Sequence, residues 1–324
     1  MNSFEVTSSI VNAAIRQIKW HREPAGLYAP IDYTMGQGGK RVRPALTLMA
    51  CNFFSENIDP AIKPAIGIEV FHNFTLLHDD IMDKATIRRG KPTVHVKWDE
   101  NTAILSGDVM QIMAYELLLE TPSPYLKTVL KLFTRTAAEI CEGQQYDMEF
   151  EQREQVLPEE YIEMIRLKTA VLLGCSLQTG AIIGGASEED ALHLYNFGIN
   201  IGLAFQLKDD LLDVYGNPET FGKQIGGDIL CNKKTYLLIH AKKAASGEMQ
   251  KKLNFWLNEP NPEPQKKVRE VTEIYNLLEV KKICEDAMSV YYEKAIASLE
   301  KVSVSSNKKQ ELRKLAEKLM FRND

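Results

Sequence analysis

The chain has few cysteines and little excess charge, and both shortages exclude classes of protein. Its 324 residues include five cysteines, an odd number, and no C-x-x-C pair. This pattern argues against a disulfide framework or a zinc site and suits reduced thiols in the cytoplasm. The formal net charge is −5, without the basic excess that is typical of nucleic-acid-binding proteins. We therefore expect no nucleic-acid partner.

Long apolar runs are also missing. No stretch approaches the roughly 18 apolar residues of a membrane-spanning helix, and residues 1–20 contain no apolar signal segment. We expect a cytoplasmic protein without a membrane span. The strict alternation of a β-strand is absent too, whereas helical periodicity recurs along most of the chain. The sequence predicts an all-α protein, a single-domain antiparallel helical bundle over residues 1–324 around a central cleft.

The same periodicity predicts where about ten to twelve helices lie. Pro24, Pro30 and the glycines of residues 36–39 are expected to break the chain before the second predicted helix. No Gly/Ser-rich or highly charged linker separates two halves. The predicted helices cover roughly 3–20, 44–55, 60–83, 99–119, 123–150, 159–184, 188–214, 233–245, 264–277, 279–300 and 306–321.

The chain carries one acidic pattern twice, each time at the end of an apolar, helix-compatible run. Residues four apart share one face of a helix, so the first and last aspartates of each D-D-x-x-D lie side by side and repel each other. A hard cation with oxygen ligands, such as Mg²⁺, would reverse that repulsion. One copy alone could be a solvated acidic face, but two copies predict facing halves of one metal site. They are Asp79, Asp80 and Asp83, and Asp209, Asp210 and Asp213.

Basic side chains accompany both acidic motifs. Mg²⁺ is usually held by one or two carboxylates and by substrate phosphates, and phosphates in turn call for Lys and Arg. Each basic group could instead be a solvated turn or a partner of nearby carboxylates. Lys168 lies in an otherwise apolar helix and must reach solvent, a carboxylate or a ligand. The groups are the turn Gly38–Pro44 with Lys40, Arg41 and Arg43, the pair Arg88 and Arg89, and Lys223 with Lys233 and Lys234.

From about Glu23 to Thr235 the chain resembles the trans-type isoprenyl diphosphate synthases, the head-to-tail polyprenyl synthetases. These segments carry the resemblance together, and none would suffice singly. They are Gly38–Pro44, His78–Asp83, Arg88–His95, Gly107-Asp108, Gly143-Gln144 with Asp147, Lys168-Thr169, Phe205–Asp213, and Gly222-Lys223 with Gly226-Gly227-Asp228.

The resemblance implies a role for each matching position. The two motifs would together hold three Mg²⁺ on the diphosphate of an allylic substrate, with Asp79, Asp83 and Asp209 as metal ligands. Arg88, Lys168, Lys223 and Lys233 would contact that diphosphate, and Lys40, Arg43, His72 and Arg89 would bind isopentenyl diphosphate. Gln144, Asp147, Thr169 and Gln206 would line the cleft near the reacting carbons. The implied catalytic set is the six aspartates with Lys168, Thr169 and Gln206.

The resemblance also implies a reaction and a range of products. The allylic diphosphate would ionise, isopentenyl diphosphate would attack the cation, and the released diphosphate would remove a proton. The residues four and five before the first aspartate, Thr75 and Phe74, would limit the length of the product, and Phe71 could form a second floor. We favour geranylgeranyl diphosphate over farnesyl diphosphate as the product. A homodimer is implied by the resemblance alone.

Three other functions agree less well with the sequence. A terpene cyclase should lack the Gly-Gly-Lys turn and carry an Asn/Ser/Glu-type second motif, and this chain does the reverse. A non-catalytic partner subunit of a prenyl synthase tends to lose one acidic motif, whereas both are intact here. An acidic helical protein that buffers divalent cations would have no use for Arg88 and Arg89 beside the carboxylates.

Overall fold

The structure, a computed structural model, describes residues 2–217 and 225–321, so the predicted contact Lys223 lies outside the described residues. Helices dominate the described residues, and this confirms the predicted all-α class. The helices are α1 Phe4–Gln17, α2 Ala25–Gly36, α3 Val42–Phe54, α4 Asp59–Met82, α5 Val94–Lys97, α6 Glu100–Leu118, α7 Ser123–Gln152, α8 Pro158–Ile165, α9 Val171–Ile183, α10 Glu188–Tyr215, α11 Gly227–Leu230, α12 Tyr236–Ala244, α13 Gly247–Asn258, α14 Pro264–Leu277, α15 Val280–Lys301 and α16 Ser306–Phe321.

Most of the long helices begin and end within a few residues of their predicted bounds, but two were not predicted. The helix α2 forms although Pro30 lies inside it, and α13 occupies a segment where no helix is predicted. Proline removes one backbone hydrogen bond and disfavours a helix interior. Burial of one face of α2, which includes Ile31 and Met35, outweighs that cost.

Two short features also depart from the predicted bundle. A π-helical turn, Arg166–Ala170, joins α8 to α9 where one continuous helix is predicted. Between α4 and α5 the strands Ile87–Arg88 and Lys91–Pro92 form an antiparallel hairpin. Two-residue strands are too short to show the alternation by which strands are recognised in a sequence.

The described chain divides into two compact units, each assembled from three separate stretches. Unit 1 consists of Met1–Arg135, Cys175–Tyr195 and Lys301–Glu311, and it carries the first acidic motif. Unit 2 consists of Thr136–Gly174, Asn196–Glu300 and Leu312–Asp324, and it carries the second. A single domain over residues 1–324, with both motifs on one central cleft, stays a prediction.

Each unit has its own apolar interior. In unit 1 the helix α4 packs against α3 and α6, and large side chains such as Phe53, Phe71 and Phe133 are fully buried. In unit 2 the buried cluster includes Tyr161, Leu207 and Tyr275. The apolar part of each motif-bearing helix is thus anchored in a core, and this fixes the position of the motif at its end. Among the described residues, no helix is long and apolar enough to cross a membrane.

Candidate active site

The first acidic motif lies at the carboxyl end of α4. Asp79 is half-buried, and Asp83, just after the last helical residue, is exposed. The backbone N–H of Asp83 donates to the carbonyl of Asp79 at 2.8 Å, so the two residues are one helical turn apart, as predicted. Their side chains therefore lie on the same face at the end of the helix.

The middle residue of this motif, Asp80, is held by the protein itself. Arg88, on the hairpin strand, donates from Nε to both carboxylate oxygens at 2.8 and 2.9 Å, and its Nη2 lies 2.7 Å from Oδ1. Burial raises the pKa of Asp80, and the hydrogen bonds and charge of Arg88 offset only part of that rise. The bidentate pair fixes the planes of both groups, so Asp80 orients Arg88.

The basic turn before α3 divides its cations between two tasks. Arg41 points inward, where its Nη1 lies 2.7 Å from Oε1 of Glu69 and both side chains are almost fully buried. Arg41 also donates to the carbonyl of Met35 at 2.8 Å. Lys40 is exposed and makes no hydrogen bond or ion pair with any described residue. Arg41 therefore supports the turn, and Lys40 remains available to a ligand.

Arg43 and Arg89 lie beside this turn and belong to one polar cluster. The Nη1 of Arg43 lies 3.2 Å from Nε2 of His72, and the Nη1 of Arg89 donates to the carbonyl of Gly38 at 2.6 Å. Gly39 has a positive φ, and a Cβ there would lie 3.2 Å from the guanidinium carbon of Arg89. Glycine at this position lets the arginine approach the backbone closely.

The electrostatics of this cluster suit an anion. Burial, followed by the charges of Arg43 and other arginines, holds the pKa of His72 well below its usual value, so the ring is neutral. Burial also lowers the pKa of Arg43 to about 10. The Nε of Arg43 is buried and has no hydrogen-bond partner among the described residues. Clustered arginines with an unused donor would be stabilised by a phosphate group.

The neutral state of His72 predicts how stability depends on pH. Below pH 6.5 the unfolded chain takes up a proton that the folded His72 does not, so the free energy of unfolding falls as the pH falls. Between about pH 7.5 and about pH 5.5, urea denaturation should show a smaller decrease in the free energy of unfolding for His72→Gln than for the natural chain. Equal losses in both proteins would contradict a neutral His72.

The predicted product-length residues lie in an aromatic cluster of unit 1. The rings of Phe71 and Phe74 are 5.3 Å apart between centroids, and Phe71 also meets Phe133 at 5.0 Å. Phe74 contacts His78 at 4.8 Å, one turn nearer the motif. Thr75 is half-buried, and its hydroxyl donates to the carbonyl of His72 at 2.8 Å. Phe74 thus packs between His78, near the motif end of α4, and Phe71.

The second acidic motif lies near the carboxyl end of α10, and its middle residue is again held by the protein. The hydroxyl of Tyr161 donates to Oδ2 of Asp210 at 2.5 Å, and the backbone N–H of Tyr236 approaches the same oxygen at 3.4 Å. Burial raises the pKa of Asp210 to about 7, helped by the negative charge of Asp228. Each motif therefore combines a half-buried first aspartate with a buried, partnered second one.

The last residue of the second motif is part of the backbone framework. Asp213 is buried, and its Oδ2 accepts from the backbone N–H of Asp228 at 3.0 Å. The backbone carbonyl of Asp213 accepts from Gly226 at 2.6 Å. These bonds tie the start of α11 to α10. In contrast to Asp83, Asp213 has a structural task in addition to any contact with a ligand.

Lys168 and Thr169 lie on the π-helical turn, a feature often found at functional sites. The Nζ of Lys168 is 2.6 Å from Oδ2 of Asp147, and that of Lys233 is 3.8 Å from the same oxygen. Of the three destinations left open for Lys168, the structure records the carboxylate. Burial raises the pKa of Asp147, but the charges of Lys233 and Lys168 outweigh that effect and lower it overall. Two cations thus converge on one carboxylate.

Two further contacts position this turn. The hydroxyl of Thr169 donates to Oε1 of Gln206 at 3.2 Å, and Nε2 of Gln206 approaches Asp210 at 3.5 Å. A Cβ at Gly143 would lie 2.3 Å from the backbone nitrogen of Lys168, so α7 can contact the turn only through glycine. Several predicted residues of unit 2 therefore form one connected network, in which Lys168 and Asp210 are linked through Thr169 and Gln206.

Sequence reasoning missed several residues that hold this site. Tyr161, Glu69 and Phe133 each contact a predicted residue or its neighbour, yet none belongs to an acidic or basic motif. The alternation of buried and polar positions in α4 carries a weak signal for Glu69, because a carboxylate inside an apolar stripe needs a cationic partner. Tyr161 and Phe133 give no such signal, since aromatic residues at helical spacing are ordinary core residues.

The donor set fits Mg²⁺ only with help from a ligand. Within residues 2–217 and 225–321, no three acidic, histidine or cysteine side chains converge on one point. Asp80 and Asp210 are buried, whereas Asp79 and Asp209 are half-buried and Asp83 is exposed, so these last three carboxylates are more accessible to a cation. Carboxylates in small numbers, completed by water and phosphate oxygens, are the usual environment of protein-bound Mg²⁺.

The chain is similar to proteins of known family. The sequence model of the polyprenyl synthetase family matches residues 24–277. A geranylgeranyl diphosphate synthase of Methanosarcina mazei is 42% identical over 236 residues, which cover 72% of this chain and 73% of that protein. A geranylgeranyl pyrophosphate synthase of Geoglobus acetivorans is 44% identical over 237 residues, which cover 72% of this chain and 74% of that protein. A crystal structure of a geranylgeranyl pyrophosphate synthase matches with a TM-score of 0.94 and 44% identity over 100% of both chains.

Proposed function

The chain belongs to the polyprenyl synthetase family and is a prenyltransferase, and from this premise we propose that it makes geranylgeranyl diphosphate. It would condense isopentenyl diphosphate with allylic diphosphates of five, ten and fifteen carbons. The observation that best supports this reaction is the pairing of carboxylates with clustered cations in both units. The names of the similar proteins support the twenty-carbon product.

In unit 1 the cationic side chains are assigned to two different substrates. Lys40, Arg43, His72 and Arg89 would bind the diphosphate of isopentenyl diphosphate. The unused Nε of Arg43, beside the neutral ring of His72, supports this assignment, because a phosphate oxygen would accept its hydrogen bond. Arg88, oriented by Asp80, would contact the allylic diphosphate. Fixed donors lose little freedom when they bind the anion.

In unit 2 the proposal assigns the leaving group to Lys168 and Lys233. Both lysines are near Asp147, at 2.6 Å for Lys168 and 3.8 Å for Lys233, and a diphosphate would compete with this carboxylate for them. Thr169 and Gln206 would face the reacting carbons. The released diphosphate would accept the proton, so no side chain is needed as a base. Lys223, outside the described residues, is proposed as a further contact.

Three Mg²⁺ ions are proposed to bind with the allylic substrate, with Asp79, Asp83 and Asp209 as ligands. Bound Mg²⁺ would neutralise the negative charge that develops on the departing diphosphate. The half-buried or exposed setting of these three aspartates, in contrast to Asp80 and Asp210, supports the choice. A cytoplasmic location and a homodimer belong to the same proposal.

The direct test is incubation of the protein with isopentenyl diphosphate, Mg²⁺ and each allylic primer in turn. The products are then dephosphorylated and separated by chromatography. We expect a twenty-carbon alcohol as the main product. A fifteen-carbon product would favour a farnesyl diphosphate synthase, and no product with any primer would favour a non-catalytic partner subunit.

Replacing Phe74 tests the proposed stop for the product. Phe74→Ala should lengthen the product, because it removes the ring that packs between His78 and Phe71. Phe74→Leu keeps most of the apolar volume and serves as the matched control, with a smaller change expected. Chromatography of the dephosphorylated products gives the chain lengths. An unchanged product in Phe74→Ala would place the floor elsewhere, with Phe71 as the next candidate.

A further inference from the structure

Unit 2 contains two adjoining cavities whose lining includes no residue of the second acidic motif. Their volumes are about 260 and 400 Å³. They lie where the loop after α7 meets α12 and α13, and they share a wall. The shared residues are Glu154, Lys234, Leu238, Lys242 and Asn254. We call this pair of cavities the lysine cleft.

The cations of the lysine cleft differ in how they are balanced. Arg153 is neutralised by Glu160, whose carboxylate accepts two hydrogen bonds of 2.9 Å from Nη2. Lys242 donates at 2.6 Å to the backbone carbonyl of Glu154, which carries no full charge. Lys234 is half-buried and makes no hydrogen bond or ion pair with any residue in the described part of the chain. Lys234 and Lys242 therefore form no ion pair with a described carboxylate, although Glu154 lies on the shared wall and the charge of Glu151 acts on Lys234.

The two lysines also repel each other. Burial lowers the pKa of Lys234, and the charge of Lys242 lowers it further. Like charges in a partly desolvated cleft are unfavourable unless an anion lies near both. Asn254, on the shared wall, adds an amide donor that no described residue uses. Lysine ammonium and amide N–H groups together are typical donors to phosphate oxygens.

We propose that the lysine cleft is an anion-binding site that takes a phosphate or diphosphate group on Lys234, Lys242 and Asn254. The group can come from free inorganic diphosphate or from the head of a prenyl diphosphate. The second cavity is also lined by Leu157, whose exposed side chain offers apolar surface against which a hydrocarbon chain could pack. The cleft is distinct from the diphosphate contacts assigned above, and its occupation requires no catalysis.

Lysine acetylation read by mass spectrometry tests the site at single residues. The full chain is treated with limiting acetylating reagent in EDTA, with and without inorganic diphosphate, and separately with geranylgeranyl diphosphate. We expect diphosphate to lower acetylation of Lys234 and Lys242 several-fold. Lys251, on α13 and paired with Glu248 at 2.7 Å, is the control and should not change. Sodium chloride at equal ionic strength controls for screening.

The two arms identify the source of the bound group. Protection by inorganic diphosphate alone identifies the free anion, and protection only by the prenyl compound identifies a head group with help from the apolar wall. Either result supports the site. No protection in either arm, or equal protection by sodium chloride, overturns it.

The variant Asn254→Ala tests the lysine cleft independently of the proposed catalytic site. Asn254→Ala changes an exposed side chain, and it should raise the diphosphate concentration needed to protect Lys234 while leaving protection of Lys168 unchanged. Turnover by Asn254→Ala should equal that of the natural chain. Since protection of Lys168 reports on the catalytic site, the two proposals fail independently. Unchanged protection of Lys234 in this variant would remove Asn254 from the proposed site.

Discussion

Replacing Asp79 or Asp209 with alanine should lower turnover by about a thousandfold or more, because each change removes a proposed metal ligand. Bound Mg²⁺ would supply several kcal/mol of charge stabilisation in the transition state, and each 1.4 kcal/mol corresponds to a factor of about ten in rate. If both aspartates serve one diphosphate, the double variant should be little worse than either single variant, since residues that act as a unit are not additive. Steady-state kinetics with saturating Mg²⁺ measures all three.

The control for this prediction lies on the same helix. Asp59→Ala removes an exposed carboxylate in the first turn of α4, at the opposite end from the motif. Its turnover should be normal, and circular dichroism of every variant should match that of the natural chain. Near-normal rates in Asp79→Ala or Asp209→Ala would overturn the assignment of that residue as a metal ligand. Additive losses in the double variant would argue against a shared diphosphate.

The acidic pattern predicts where the aspartates lie but does not by itself distinguish among the six, and the choice of Asp79, Asp83 and Asp209 as metal ligands comes from the resemblance alone. The helical run before each motif was enough to place both at the ends of helices, because the apolar periodicity is local. It could not separate Asp80 and Asp210 from their neighbours. Their partners, Arg88 and Tyr161, are brought to them by the fold, and Tyr161 lies 49 residues away along the chain. Partner choice at that separation depends on tertiary packing, which local patterns do not encode.

The π-helical turn shows the same limit. An unpaired Lys168 in an apolar helix was a sound reason to expect a partner, and the choice among solvent, carboxylate and ligand was left open. The carboxylate of Asp147 is reached because the turn bulges against α7 at Gly143. A single glycine in a helical pattern does not predict such a contact, since its meaning depends on which helix lies opposite.

The basic turn before α3 is the clearest case in which charge alone was misleading. Charge alone places Lys40, Arg41 and Arg43 together as three cations on one turn, and only the resemblance selects Lys40 and Arg43 for a diphosphate. In the structure, Arg41 forms its ion pair with Glu69 in the interior, and its backbone has a left-handed conformation with φ 49°. Arg43 faces His72 instead. Within a run of cations, the backbone conformation decides which one is structural.

That division predicts a large loss of stability on Arg41→Met. The change leaves the carboxylate of Glu69 buried without its ion pair, and breaking a buried pair in this way costs about 3–5 kcal/mol. Urea denaturation should show a midpoint far below that of the natural chain, with an unchanged dependence on urea concentration. Lys40→Met is the matched control on the same turn. It removes an exposed cation and should change the free energy of unfolding by less than about 0.5 kcal/mol.

The double variant Arg41→Met with Glu69→Leu decides whether the loss comes from the unpaired charge. Replacing both partners of a buried ion pair by apolar groups is often close to neutral, so the double variant should recover most of the stability lost in Arg41→Met. Asn73 limits that recovery, because its amide also donates to Oε1 of Glu69 at 3.3 Å. If the double variant were no more stable than Arg41→Met alone, the hydrogen bond from Arg41 to Met35 would hold the turn, and Glu69 would be incidental.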